Sequence, residues 1–328
     1  MVTSQPIKIG FIGCGNIANS HMSAIERIPE IEIVAGADIK VERAQQFVQK
    51  AGAQSYFTDW RQMLEEVDLD AIDQCTPHTL HMEPTLAAAE RGIHVLTEKP
   101  MATELAECDR MIAACEQAGV VLMVAQVLRF YALHVEARKI VSSGQLGQIK
   151  NVIRRRWGYM KDVSSQPWSA DPELSGGWLL YGLGSHAADL ILWMTDSEAT
   201  NVFAMGRQIN PSWDDVDEVT IQMELSNGAM ALQTHCLNCY ANAWDLAVNG
   251  TDDSLYVNGE TLIVGGEERH VPMQEDGGMY TQIAEFASAV LEGREPEASG
   301  KDVRRTYALL EAAKLSMKES RIVDASQL

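Results

Sequence analysis

Positive charge is scarce in this 328-residue chain: 26 Lys and Arg stand against 46 Asp and Glu, a formal net charge of −20. So acidic a chain repels phosphate backbones and anionic lipid, which excludes general nucleic-acid or membrane-surface binding. Long apolar runs are missing too, because a charged residue interrupts every stretch before the roughly 18 residues of a membrane span. Met1 to Lys8 lacks a basic n-region, and the apolar stretch that follows is strand-length, so no secretory signal is expected. Cysteines number only six, four of them scattered. They make no disulfide framework, and a reducing cytoplasm is the expected compartment. The paired spacing Cys236-Leu237-Asn238-Cys239, beside His235, lacks the second cluster that zinc would need. Strand alternation is expected to put those two thiols on opposite faces, so structural thiols and no metal site are expected. What is there is ordinary globular composition, 46% hydrophobic and 22% charged, which excludes a disordered chain. At about 150 residues per domain, the length predicts two domains.

The first 128 residues alternate short apolar runs with helical patterns. Strands are expected at Ile7–Ile12, Ile31–Ala37, Asp70–Cys75, Ile93–Thr97 and Val120–Ala125. Helices are expected at Asn16–Arg27, Val41–Ala51, Glu83–Arg91 and Glu104–Ala118, with Gly92 and Gly119 at their C-terminal caps. Such repetition implies parallel strands with right-handed crossovers, hence a doubly wound α/β sheet. From residue 129 strand patterns dominate. Asn227-Gly228 and Asn258-Gly259 mark hairpins between alternating runs, and helices are expected at Tyr131–Ser142, Trp178–Met194, Tyr280–Glu292 and Asp302–Glu319. Residues 129–328 therefore read as an α+β domain with a mostly antiparallel sheet. Its closing helix is free to pack back on the first domain.

Gly13-Cys14-Gly15-Asn16-Ile17-Ala18 is a G-x-G-x-x-A turn between the first strand and the first helix. Gly13 permits the tight turn, Gly15 lets backbone approach a pyrophosphate, and small Ala18 allows close helix–strand packing. Asn16 and Ile17 open the helix whose N-terminus faces that charge. Asp38, ending the second strand, is suited to the two adenosine ribose hydroxyls and repels a 2′-phosphate, so NAD is expected over NADP. Ile39 follows on the same rim, and Lys40 and Arg43 soften that preference.

Further on stand Thr76-Pro77-His78-Thr79-Leu80-His81 and Glu98-Lys99-Pro100, then Gly184-Ser185-His186-Ala187-Ala188-Asp189. With these motifs in this order the chain resembles the glucose–fructose oxidoreductase, inositol dehydrogenase and rhizopine catabolism (Gfo/Idh/MocA) family of nicotinamide-dependent dehydrogenases. The resemblance runs on through Tyr280–Phe286 and Arg305–Ser316, essentially the whole chain. It implies an NAD-dependent oxidoreductase acting on CH–OH groups of a sugar, sugar derivative or cyclitol, assembled as a homodimer or homotetramer through the open face of its second sheet. It also implies that Thr76, Pro77, His78, His81, Glu98 and Lys99 line the cofactor, with a cis bond before Pro100. Lys99 and His186 are the implied catalytic pair, and imidazole suits proton transfer near neutral pH. Gln126 and Tyr280 are further candidate cofactor contacts, and Arg129 a cofactor or substrate contact. Tyr159, Trp168, Tyr181 and Asp189 are candidates for the substrate, with Trp157 and Trp178 nearby.

The chain departs from the family's pattern at Gly182, where many relatives carry an aspartate four residues before the histidine. Tyr181 or Asp189 is the expected compensation, Asp189 lying three residues after His186 on the same helix face. The Arg154-Arg155-Arg156 run reads as a solvated or subunit-facing edge rather than a recognition site for an anionic substrate. Two other activities compete with the dehydrogenase. One is an NAD-dependent glycoside hydrolase with transient oxidation, the other a non-catalytic nucleotide-sensing regulator, which the presence of Lys99 disfavours.

Overall fold

The computed structural model describes residues 5–160, 167–213 and 215–328, so part of the Met1 to Lys8 stretch lies outside the described residues. The chain divides into two compact units, one of residues 1–102, 106–127 and 278–302, the other of residues 103–105, 128–277 and 303–328.

The first unit is built from β1 (Ile7–Ile12), α1 (Asn16–Ile25), β2 (Ile31–Ala37), α2 (Val41–Ala51), β3 (Ser55–Phe57), α3 (Trp60–Glu66), β4 (Ala71–Gln74), α4 (Met82–Ala89), β5 (His94–Thr97), α5 (Leu105–Ala118) and β6 (Leu122–Val124). Its six strands lie in the order β3-β2-β1-β4-β5-β6, and every pairing is parallel. Ile9, Phe11, Ile72, Val95 and Leu96 are fully buried, as expected where helices cover both faces of a parallel sheet. The strand order reverses between β1 and β4. Ligands of doubly wound sheets bind outside the carboxyl ends of the strands at such a point. The sequence pattern did not reveal β3 and α3, which at three and seven residues are too short to show a period.

The second unit contains α6 (Ala132–Ser142), β7 (Ile149–Tyr159), α7 (Pro172–Ser175), α8 (Gly184–Thr195), β8 (Ala199–Arg207), β9 (Glu218–Leu225), β10 (Met230–Cys236), β11 (Asn238–Gly250), β12 (Ser254–Asn258), β13 (Thr261–Val264) and β14 (Glu267–Arg269). After α9 (Met279–Glu292) come α10 (Gly300–Glu319) and β15 (Val323–Asp324). The nine strands are ordered β14-β13-β12-β11-β7-β10-β9-β8-β15, and all pair antiparallel except β7 with β10. Alternation divides the faces cleanly. Val152, Ala204, Ile221, Ala231, Leu246 and Val248 are buried on one face, where α8 lies against β7 and β10. Phe203, Met205 and Met230 are exposed on the other.

Two expectations need correction. Residues 278–302 belong to the first unit, not the second. There α9 packs on α1, burying Ile283, Phe286 and Ala287, and the Arg27 guanidinium sits 4.5 Å above the Tyr280 ring. Secondly, β7 lies between β11 and β10, so Arg154-Arg155-Arg156 is an interior run and no edge.

Candidate active site

The nucleotide turn has the geometry its glycines require. Gly13 has φ +88°, and a Cβ there would lie 2.6 Å from the Cys75 carbonyl oxygen, so only glycine closes the turn against the end of β4. At Gly15 nothing lies within 4 Å of where a Cβ would stand, which leaves the approach to α1 open. Asn16 is exposed and Ile17 half-buried at that opening. The Asp38 carboxylate is held beside the turn, Oδ2 accepting from the Cys14 amide at 2.9 Å and Oδ1 from the Lys40 amide at 2.8 Å. Ile39 is 89% exposed and Arg43 exposed on the same rim. Gln126, just past β6, is fully buried with neither amide atom hydrogen-bonded. A buried amide open at both ends suits a ligand, so the residues present fit a dinucleotide.

Thr76 and Pro77 are half-buried and His78 is buried. His81 is fully buried, and both ring nitrogens face backbone carbonyls, Nδ1 to Pro100 at 2.7 Å and Nε2 to Thr76 at 2.9 Å. Burial pushes its pKa down, against the pull of those two carbonyls, so a neutral ring donates to one at a time. His81 ties the Thr76 loop to the Pro100 turn.

The Lys99–Pro100 peptide is cis, as the resemblance implied. Lys99 follows β5, and its backbone amide donates to Glu98 Oε2 at 3.0 Å. Behind Glu98 runs a buried network that sequence reasoning missed. His21 Nε2 lies 3.3 Å from Glu98 Oε1, His21 Nδ1 is 2.8 Å from Asp73 Oδ2, and the Cys75 thiol donates to Asp73 Oδ1 at 3.3 Å. Burial alone would push His21 down, but the Asp73 carboxylate overrides it and holds the imidazole well above its usual range. Burial would likewise raise Glu98, yet His21 and Lys99 keep it below the usual carboxylate range. Burial lowers Lys99 itself, with the Glu98 charge opposing. His21 and Glu98 are thus shifted in the directions that favour an ion pair between them. His21, Asp73 and Cys75 are metal-binding residue types within 4.8 Å of one another. The 2.8 Å contact is nevertheless a hydrogen bond, shorter than the roughly 3.3 Å that separates ligands of one tetrahedral zinc. The legible signal was Asp73, a carboxylate inside the otherwise buried strand β4.

In the second unit a π-helical turn, Trp178–Leu183, leads into α8, which carries half-buried His186 in its first turn. Gly182 is glycine for a steric reason. A Cβ there would lie 2.6 Å from the Trp178 indole, and Trp168 meets that indole edge-on at 5.4 Å. Tyr181 is buried beside it. Asp189 is committed within the second unit. Its carboxylate takes a two-pronged bond from Arg129, at 2.8 and 2.6 Å, and a third from the Thr306 hydroxyl at 3.1 Å. Both partners of that ion pair are about 1% exposed. Tyr159, 50% exposed at the end of β7, stacks on Tyr240 with ring centroids 4.7 Å apart. Cys236 and Cys239 do not point to opposite faces. Leu237 interrupts the strands between them, and the Cys239 thiol reinforces burial in pushing Cys236 up.

A dinucleotide turn at a doubly wound switch point, a half-buried lysine after β5 and a second unit bearing a helix histidine define a nicotinamide-dependent oxidoreductase. Residues 7–126 match the oxidoreductase family with an NAD-binding Rossmann fold, and residues 134–256 match the Gfo/Idh/MocA C-terminal domain. The oxidoreductase YrbE of Bacillus subtilis is 30% identical over 236 residues, 70% of this chain and 67% of its own. Myo-inositol 2-dehydrogenase of Thermotoga maritima is 25% identical, over 98% of this chain and 99% of its own. The crystal structure of the aldose-aldose oxidoreductase of Caulobacter crescentus superposes with a TM-score of 0.88 at 25% identity, covering 98% of this chain and 100% of that one. The chain belongs to the Gfo/Idh/MocA family of oxidoreductases, and its cofactor is NAD. No helix among the described residues is long and apolar enough to cross a membrane.

Proposed function

We propose that this protein moves a hydride between NAD and a secondary alcohol of a sugar, sugar derivative or cyclitol. The observation that carries the reading is Lys99, whose backbone amide is tied to Glu98 after β5 and whose ammonium is destabilised by burial. NAD, when bound, supplies the hydride acceptor. The chain's own residues do the rest: the Gly13–Ala18 turn and Asp38 hold the dinucleotide, and Lys99 polarises the substrate oxygen. His186 takes the hydroxyl proton as the carbonyl forms. The names of the inositol and aldose enzymes support this substrate class. We assign the enzyme to a reducing cytoplasm, where its six free thiols stay reduced. The open face of the nine-stranded sheet is the proposed seat of a homodimer or homotetramer.

The test mixes purified protein with NAD and a panel of sugars and cyclitols while following the reduced-nicotinamide absorbance. Net reduction supports the proposal. Cleavage of an aryl glycoside without net reduction would assign a hydrolase, and neither signal would leave a nucleotide-sensing protein.

A further inference from the structure

The parallel pairing of β7 with β10 sets Arg154 opposite Gln233 and Arg156 opposite His235, on the face of the sheet that α8 covers. Arg154, Gln233 and His235 are 3%, 0% and 0% exposed, and Arg156 is half-buried. Both guanidinium groups approach one indole, Arg156 at 4.9 Å and Arg154 at 6.0 Å from the Trp244 ring centroid. Arg154 donates through one terminal nitrogen to the Asp245 and Arg155 backbone carbonyls, at 2.9 and 3.4 Å, and its Nε has no partner. Neither amide atom of Gln233 and neither ring nitrogen of His235 is hydrogen-bonded.

The charge here is only partly compensated. Asp245 is the carboxylate nearest the run, and its oxygens are committed to Arg155 and to the Tyr256 hydroxyl. Among the described residues no carboxylate pairs with Arg154 or Arg156. His235 adds no further positive charge, because burial and the two arginines push its pKa down to about 3 and keep it neutral. Arg154 is nearly dry with no carboxylate of the described residues bonded to it, and only the charge of Asp245, itself bonded elsewhere, opposes the burial that lowers its pKa to about 10.

We infer that Arg154, Arg156, Gln233 and His235 form a subsite for a carboxylate on the substrate, so that the natural substrate is a sugar acid. This rests on, and narrows, the dehydrogenase reading above. A carboxylate offers two coplanar oxygens to a guanidinium fork, and neutral His235 and Gln233 add N–H donors and an amide oxygen for neighbouring hydroxyls. The subsite borders the helix that bears His186, since Gln233 Nε2 lies 3.5 Å from the Cβ position of Gly184, two residues before it. A phosphate ester is the other source of such an anion, and the test separates the two.

Gluconate, glucuronate, glucose, glucitol and glucose 6-phosphate are each titrated into the NADH-bound protein by calorimetry, and each is tried for turnover with NAD. The sugar acids should bind more than about tenfold tighter than glucose or glucitol. Arg154→Met and Arg156→Gln should each weaken acid binding by about 10- to 100-fold, the usual loss of a charged hydrogen bond, and weaken neutral binding far less. Arg154→Met should also melt at or above the wild-type temperature, since it removes a buried charge that no described carboxylate pairs with, and this separates lost binding from lost folding. Equal binding of glucose and gluconate, or a lowered melting temperature in Arg154→Met, would overturn the subsite. Preference for glucose 6-phosphate alone would replace the carboxylate by a phosphate. Turnover of neutral sugars only would sink the subsite and spare the dehydrogenase. Arg154-dependent acid binding with no NAD reduction by any compound would do the reverse.

Discussion

At Asp38 the carboxylate is oriented before any ligand arrives, because two backbone amides hold its oxygens while lone pairs remain for a ribose diol. Asp38→Ser should weaken NAD by about 10- to 100-fold, the loss expected for charge-assisted hydrogen bonds. It should also shift preference toward NADP, with Lys40 and Arg43 nearby, and competitive titration of the two dinucleotides measures both effects. At Glu98 the sign follows from charge. Its carboxylate opposes the lowering of Lys99 by burial, so Glu98→Gln should lower the lysine further. If neutral Lys99 accepts a proton, the acidic limb of kcat/KM moves to lower pH. If the ammonium polarises the oxygen, the alkaline limb moves down instead. A profile fixed on both limbs would remove Lys99 from the titrating chemistry. Glu98 is itself held below the usual range, so its stabilising contribution is present above about pH 4.5 and is lost as pH falls through its lower folded value. Thermal melts of wild type and variant should therefore converge in acid.

Between elements, the Arg129–Asp189 pair joins the turn before α6 to α8, and Thr306 ties α10 to the same carboxylate. With both partners about 1% exposed, Asp189→Ala strands a dry guanidinium and should cost about 3–5 kcal/mol, read as a large fall in melting temperature. A melt within a degree of wild type would show that water or another group satisfies Arg129. The π turn before α8 is tight for a different reason. Gly182→Asp, which restores the aspartate of many relatives, drives a side chain into the Trp178 indole and should destabilise by at least about 1–3 kcal/mol. Melting without and with Trp178→Ala checks this, since only the second background makes room.

Across the whole molecule, the second sheet presents one buried face and one face with Phe203, Met205 and Met230 exposed at 37%, 67% and 49%. Exposed apolar side chains on β8 and β10, which flank β9 in the sheet, suit a self-complementary interface. Sedimentation should give a dimer or tetramer for the wild type and a smaller species for Met205→Glu. A wild-type monomer at micromolar concentration would overturn the assembly.

The sequence by itself determined what depends on local spacing. The G-x-G-x-x-A turn between strand and helix, Asp38 at the end of β2, the two Asn-Gly hairpins and the parallel-then-antiparallel rhythm are all short-range patterns, and the structure keeps each in place. Tertiary structure alone decided which polar groups meet. Asp189 lies three residues from His186 in sequence, yet its partners are 60 and 117 positions away. His21 gains its charge from Asp73, 52 residues on. Arg154 changes from an apparent solvent-edge residue to a buried cation because β10 arrives beside β7 from 79 residues later, a pairing that no window along the chain encodes. Burial and long-range pairing set the electrostatics of a site, and both become defined only when the sheet has closed around it.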